Sequence, residues 1–228
     1  MRAISNPKPE AGPDFRGLVP LARAWRIGWI SRVPAAVVGL ALLSGCLLPK
    51  VPPDPTRFYV LAGSTARKEP APDAPVVHLR EVNVAGYLRG RAMIVRRGDH
   101  EIEFRDFARW GEPIEQGIVR LLRQELLARG AAGSVVAPGL RAARMEYDHV
   151  LAVRVLACEG AADGSVLFRA VWELTAADVD PVSRMVGDYR PRHLHWDVGH
   201  EESLAGGLSE AVNGLAAEIA AALVSSRR

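Results

Sequence analysis

Apolar and polar residues alternate in short runs along the chain after residue 56. Side chains at every second position of a strand point to one face, so such runs are typical of half-buried β-strands. Gly98 and Asp99 separate the last two of these runs, as in a hairpin turn. The pattern predicts strands over residues 57–61, 76–84, 92–97 and 101–104.

The period becomes helical after Pro113. Apolar residues then recur at intervals of three or four, which places them on one face of a helix. Pro113 suits the first helical turn, and Gly130 can close the helix in a left-handed conformation. The same period returns over residues 201–224, so we expect two amphipathic helices. Their apolar residues are Ile114, Ile118, Leu121, Leu122 and Leu126 in the first and Leu204, Leu208, Val212, Leu215, Ile219 and Leu223 in the second.

Three strands are predicted between the two helices, over residues 147–158, 166–174 and 184–196. The first is apolar on both faces, and alternation places Cys158 on the same face as Val150 and Ala152. Because a strand of this kind is usually covered on both faces, we expect it in the middle of the sheet, between helical layers. Pro191 cannot donate to a ladder, which places the third strand at an edge. The expected fold is α/β, a three-layer sandwich with a mixed sheet.

The segment before the first strand contains an apolar run over residues 33–43, preceded by three arginines. The run is shorter than the about 20 residues that cross a bilayer, but it has the length of the apolar core of a signal peptide. It is followed by LSGC, ending at Cys46, which is the pattern of a bacterial lipobox. There the cysteine thiolate accepts a diacylglyceryl group. The alternative, a buried cysteine on a short core helix, has no amphipathic continuation to support it.

The lipobox divides the chain into three parts. Residues 1–45 are the predicted signal peptide, and residues 46–56 are the lipidated cysteine with a proline-rich tether. Prolines at this density favour an extended, semi-rigid chain. Residues 57–225 then form one domain, attached to a membrane through the lipid on Cys46.

The formal net charge of +3 comes from the leader. Residues 1–45 carry six basic and two acidic side chains, so the rest of the chain is slightly acidic. A basic surface for DNA or RNA is therefore not supported, and we expect no nucleic-acid partner. The chain has two cysteines. If Cys46 carries lipid, Cys158 has no partner for a disulfide, and we interpret it as a small buried residue.

Patterns typical of catalysis or cofactor binding are missing from the sequence. It has no G-x-S-x-G nucleophile turn, no phosphate-binding loop and no G-x-G-x-x-G fingerprint. His193 and His195 would share one face of a strand, either as a metal-ligand pair or, as we favour, as an exposed polar face. Glu201 and Glu202 begin a helix, where they complement its dipole. We expect no catalytic residue, no cofactor and no metal.

Three large side chains crowd the chain just before the first helix: Arg109, Trp110 and Glu112. Trp110 could fix the start of the helix to the sheet, which is the interpretation we favour from the residues alone. It could also contact a partner protein, because aromatic and arginine side chains carry most of the binding energy at interfaces. Both interpretations stay open at this point.

The order of these segments resembles the PqiC-type lipoproteins of the ABC-type transport auxiliary lipoprotein family. The resemblance rests on the lipobox, on RFYVLAG at residues 57–63, on VNVAGYLRGRAMIV at residues 82–95 and on RWGEP at residues 109–113. It covers nearly all of the chain after Cys46. The long leader and the histidine-rich edge strand are departures from the family pattern.

The resemblance implies a fold similar to the N-terminal domain of TolB, an anticodon-binding-domain-like α/β fold. It also implies a non-enzymatic periplasmic subunit that works with MCE-type lipid-transport proteins, of a PqiB type, between the two membranes. The candidate partner-binding residues are Tyr87, Arg109, Trp110 and Glu112. Self-association into a ring is compatible with this picture.

The residue after the lipobox cysteine is Leu47. An aspartate there would act as an inner-membrane retention signal in enteric-type sorting, so we expect Cys46 in the inner leaflet of the outer membrane, with the domain facing the periplasm. An envelope chaperone or assembly factor for outer-membrane components would use the same tether and fold class. A periplasmic hydrolase is a further alternative, which the missing motifs disfavour.

Overall fold

Eight strands and two helices follow one another in a computed structural model that describes residues 52–63, 68–138, 146–177 and 183–226. Residues 54–228 form one compact unit. The helices are α1 (Ile114–Ala128) and α2 (Glu201–Ser225), and a 3₁₀ helix spans Gly86–Arg89. The strands are β1 (Arg57–Tyr59), β2 (Val76–Val84), β3 (Ala92–Arg96), β4 (Ile102–Trp110), β5 (Ser134–Val136), β6 (His149–Ala161), β7 (Val166–Ala176) and β8 (Arg184–Tyr189).

Strand β6 is the centre of a mixed sheet of eight strands. On one side it pairs antiparallel with β7, which pairs antiparallel with the edge strand β8. On its other side it is parallel to β2 and, further along, to β3. The α/β class, the mixed sheet and the edge position of the strand before Pro191 are confirmed.

The sheet divides where β2 gives way to β3. The first half of β6 pairs with β2, as far as Val84 opposite Val155, and its last residues pair with β3, where Val95 lies opposite Gly160. The 3₁₀ helix fills the gap between the two strands. On one side of this division β2 pairs with β5, which ends the sheet there. On the other side β3 pairs antiparallel with β4, and β4 pairs with β1 at the opposite end.

Both helices lie on one face of the sheet, because they pack directly against each other as well as against the strands. Burying their apolar stripes provides the main driving force for folding. Helix α2 is long and apolar enough by composition to span a membrane, but its apolar stripe lies in the core. The core residues of the helices include Ile118, Leu121, Leu122, Leu126, Leu204, Leu208, Leu215 and Ile219, each at most 1% exposed.

The opposite face of the sheet carries no helix in the described parts of the chain. Arg154 is exposed there, and Val186 on β8 is 61% exposed. Strand β6 therefore lies mid-sheet, as expected, but with a helical layer on one face only instead of the two that its apolar residues predicted. The physical reason is that its second face combines the exposed Arg154 with half-buried residues such as Ala152, so it offers little apolar surface that would need a helical cover.

A β-bulge changes the face to which Cys158 belongs. Val155 pairs with Ala170 and Cys158 pairs with Phe168, so Leu156 is the extra residue. Because Ala170 and Phe168 are two positions apart on β7, Val155 and Cys158 point to the same face. The thiol lies in the core, 3% exposed and free. The expectation of a small buried residue is confirmed, but its assignment to the second face was wrong.

Several boundaries differ from the sequence pattern. Strand β4 continues to Trp110, well beyond the predicted end at Phe104, and the short strand β5 was not predicted. Strand β8 ends at Tyr189, so the two histidines lie in the loop after it, and His193 adopts a left-handed φ of 63°. His195 keeps only an isolated bridge to Ser165. The predicted signal peptide and Cys46 lie outside the described residues.

Candidate functional site

Trp110 is the last residue of β4, and it lies in the core with 5% of its surface exposed. Its backbone N–H donates to the carbonyl of Arg91 over 2.7 Å. It pairs in register with Tyr59 of β1, and α1 begins four residues later, at Ile114. This placement supports the interpretation in which Trp110 fixes the helix start to the sheet.

Glu112 ties together three segments around the start of α1. Its Oε1 accepts hydrogen bonds from Nε and Nη2 of Arg120, over 3.1 and 2.6 Å. Nη2 of Arg120 also donates to the carbonyl of Leu61, over 2.7 Å. The carboxylate thereby links the loop before α1, the second turn of α1 and the segment after β1. Gly117 leaves room for it, since a Cβ there would lie 3.3 Å from Oε1 of Glu112.

Arg109 is exposed and lies beside Phe58, its register partner on β1. Alternation along β1 points Phe58 away from the face on which Trp110 is buried and Tyr59 is half-buried. Val60, the residue directly after β1, is also exposed. Arg109 is thus the one member of the predicted set that combines a free surface position with apolar neighbours.

An exposed apolar surface formed by β1, Val60 after it and β4, which we name the aromatic patch, was not predicted from the sequence. Its exposed fractions are 63% for Phe58, 54% for Val60, 49% for Phe104 and 58% for Phe107. Three of the five phenylalanines of the chain belong to it. The sequence did contain a sign of this patch, because the residues of β1 are apolar at consecutive positions instead of alternating with polar ones. Such a run does not reveal which of its side chains face solvent.

Tyr87 lies on the 3₁₀ helix, and its partners belong to β6 and β3 instead of to the Arg109–Glu112 segment. Its hydroxyl donates to the carbonyl of Leu156 over 3.3 Å. Burial, together with the nearby Glu159 carboxylate, raises the pKa of Tyr87 to about 12. The structure therefore groups Tyr87 with Glu159 and Arg96, while Arg109, Trp110 and Glu112 share the corner formed by β1, β4 and α1.

Two open grooves flank this corner. One, of about 1030 Å³, runs between β1 and α2, and the other, of about 630 Å³, runs along α1. The groove along α1 reaches Pro138, the last described residue before residue 146. Its lining combines apolar and basic side chains: Val82, Val119, Leu127, Arg80, Arg120 and Arg123.

Within the described ranges no group of three or more histidine, cysteine, aspartate or glutamate residues is arranged to hold a metal ion. His193 and His195 are both exposed loop residues. Glu201 is engaged at the start of α2, where it accepts from Nε of Arg105 over 2.8 Å. Cys158 is the free cysteine of the described chain, and burial raises its pKa to about 12, which keeps the thiol neutral.

Solved structures with a similar fold support the architecture. An uncharacterized protein of known crystal structure matches with a TM-score of 0.55 and 19% identity, over 72% of this chain and 96% of that one. A protein from Xanthomonas campestris, described as DUF330, matches with a TM-score of 0.51 and 17% identity, over 75% and 97% of the two chains. At these identities the likeness shows the fold alone. No curated protein matches this chain.

A family model covers most of the domain. It is described as ABC-type transport auxiliary lipoprotein component, and it matches residues 59–220, from within β1 to near the end of α2. The match includes all four candidate partner-binding residues, so the expectation drawn from the lipobox and the RWGEP segment is confirmed at the level of the family. The chain belongs to the ABC-type transport auxiliary lipoprotein family.

Proposed function

We propose that this protein is a non-catalytic auxiliary lipoprotein of an MCE-type phospholipid transport system, anchored in the inner leaflet of the outer membrane. Membership of the family supports the role of an auxiliary lipoprotein in a transport system. The lipobox at Cys46 and the Leu47 that follows it support the anchor and its location. An MCE protein of the PqiB type is the proposed partner, and the family resemblance of the sequence supports it.

The domain docks onto the partner through the corner that contains Arg109, in this proposal. Arg109 supplies an exposed guanidinium, while Glu112 and its bonds to Arg120 hold the loop in place. Trp110 contributes by fixing the shape of the corner from inside the core. Tyr87 belongs to the same candidate set. Its half-buried ring lies where the sheet divides between β2 and β3, so its role is to stabilise the position of β3 and β4.

Lipidation is tested by labelling cells with radioactive palmitate and comparing the wild-type chain with Cys46→Ala. We expect label in the wild type and none in the variant, with the wild type in the outer-membrane fraction. Equal labelling of both chains would contradict the anchor. Wild-type lipoprotein recovered with the inner membrane would contradict the location.

The partner is tested by recovering proteins from envelopes with a chain that begins at Leu47. Residues 54–228 form one compact unit, so this chain keeps the whole core. We expect an MCE protein among the recovered proteins, in reduced yield with Arg109→Ser. If no MCE protein is recovered with the wild-type chain and an outer-membrane assembly protein is recovered instead, the alternative role as an envelope chaperone replaces the transport role.

A further inference from the structure

The aromatic patch on β1 and β4 leaves apolar surface in water without cover from the described parts of the chain. Phe58 and Phe107 are 63% and 58% exposed, and exposed phenylalanines grouped in this way mark interaction surfaces. The exposed large apolar residues outside the patch are valines spread over other elements, such as Val186 on β8 and Val224 on α2. The exposed phenylalanines are thus confined to β1 and β4, and β1 is the first strand after the tether.

The position of the patch in the chain limits what can cover it. Phe58 lies 12 residues after Cys46, and an extended proline-rich chain rises about 3.1 Å per residue. With lipid on Cys46, the patch therefore stays within about 40 Å of the bilayer surface. This short reach raises the local concentration of the patch at the membrane, which adds to the affinity of the patch itself for the bilayer.

The composition of the patch also fits a lipid surface. Phenylalanine and valine side chains can enter the boundary between head groups and acyl chains. Arg109, the register neighbour of Phe58, lies at the border of the patch and keeps its role in the partner-binding corner, so the membrane contact rests on the apolar side chains. The acidic residues Asp54 and Asp106 are also exposed at this end of the sheet, so the apolar contacts and not the net charge provide the attraction.

We propose that the aromatic patch, Phe58, Val60, Phe104 and Phe107, is a membrane-contact surface that lays the β1 end of the domain against the bilayer to which Cys46 is anchored. The orientation rests on the lipid anchor of the proposed function. The contact fixes the angle at which the tethered domain leaves the membrane, and it turns α1, α2 and the β8 edge towards the periplasm.

The first test measures binding of the chain that begins at Leu47 to vesicles of phosphatidylethanolamine with phosphatidylglycerol, by flotation. We expect the wild-type chain to float with the vesicles and the double variant Phe58→Ser, Phe107→Ser to bind about tenfold more weakly, since burial of each apolar side chain is lost. The matched control is Val186→Ser with Val224→Ser, whose side chains are 61% and 50% exposed outside the patch. It should bind within about twofold of the wild type.

A second test follows the patch itself and does not depend on the stability of serine variants. Because Cys158 is buried, a thiol dye that is sensitive to polarity labels only an introduced surface cysteine. With Phe58→Cys the dye emission should shift to the blue when vesicles are added, and with Val186→Cys it should not.

Two results would overturn the proposal. Either the wild-type chain fails to float and the dye at Phe58→Cys does not respond, or the phenylalanine variant floats like the wild type. If that variant also loses recovery of an MCE protein, the patch is a protein interface. Neither result changes palmitate labelling of Cys46, so failure of the patch is distinguishable from failure of the anchor.

Discussion

Nε of Arg96 donates to Oε1 of Glu159 over 2.6 Å at the point where the sheet divides. The Glu159 side chain is fully buried, while that of Arg96 is 29% exposed. A buried carboxylate is stable only when it is paired, because its transfer from water to the interior is costly. The pair joins β3 to β6 where the two strands share only a short ladder.

Replacing Arg96 with methionine should destabilise the fold by about 3 kcal/mol, because it leaves the Glu159 carboxylate buried without its partner. Urea unfolding measures the change. The double variant Arg96→Met, Glu159→Met should recover part of the loss, since it removes both charges. The matched control is Arg169→Met, which breaks an exposed pair with Asp188 and should leave the unfolding midpoint near that of the wild type. Equal losses for Arg96→Met and Arg169→Met would contradict this role.

Gly187 on β8 lies under the indole of Trp172 on β7. A Cβ at Gly187 would lie 2.6 Å from Cζ2 of Trp172, and Nε1 of the same indole donates to Glu218 of α2 over 2.7 Å. Gly187→Ala should therefore displace the ring and cost about 1–3 kcal/mol in unfolding free energy.

The control is Gly206→Ala on α2, where a Cβ would meet nothing within 4 Å. Alanine is the better helix former, so this variant should gain up to about 1 kcal/mol. If the two alanine variants changed stability in the same direction, the close packing of Trp172 on Gly187 would not be a stabilising constraint.

The elements with a clear period could be predicted from the sequence. Strand β2 spans the predicted residues 76–84, and α1 and α2 begin within one residue of the predicted positions. Their periods are visible because one face of each element is buried while the other meets water. Strand β8 also lies at the edge that Pro191 predicted, although the strand ends at Tyr189, two residues before the proline.

Features that depend on how elements meet could not be predicted. The bulge at Leu156 adds one residue to β6 and reverses the alternation after it, which moved Cys158 into the core. The side-by-side packing of both helices is a tertiary contact without a local pattern. The aromatic patch was hidden because Phe58 reads as a core residue until its register with Arg109 is known.

Tyr87 should titrate far above a free tyrosine. Burial raises its pKa from 10.0 to about 12, with a contribution from the Glu159 carboxylate. Since the folded-state pKa lies above the unfolded value, the stability from this group is complete below pH 10 and is lost as the pH rises towards 12. The difference in tyrosinate absorbance between the wild type and Tyr87→Phe should have its midpoint near pH 12. A midpoint near pH 10 would place the hydroxyl in solvent.

Substitutions of the adjacent residues Trp110 and Arg109 should differ in their effect on stability: the first should destabilise the fold and the second should not. Trp110→Ala removes a core side chain and should cost about 3–5 kcal/mol of unfolding free energy. Any loss of partner with that variant then reports damage to the fold. Arg109→Ser changes an exposed side chain, so urea unfolding should be close to that of the wild type while recovery of the MCE partner falls. If Arg109→Ser kept full recovery of the partner, the corner formed by β1, β4 and α1 would hold the fold together without serving as the docking surface.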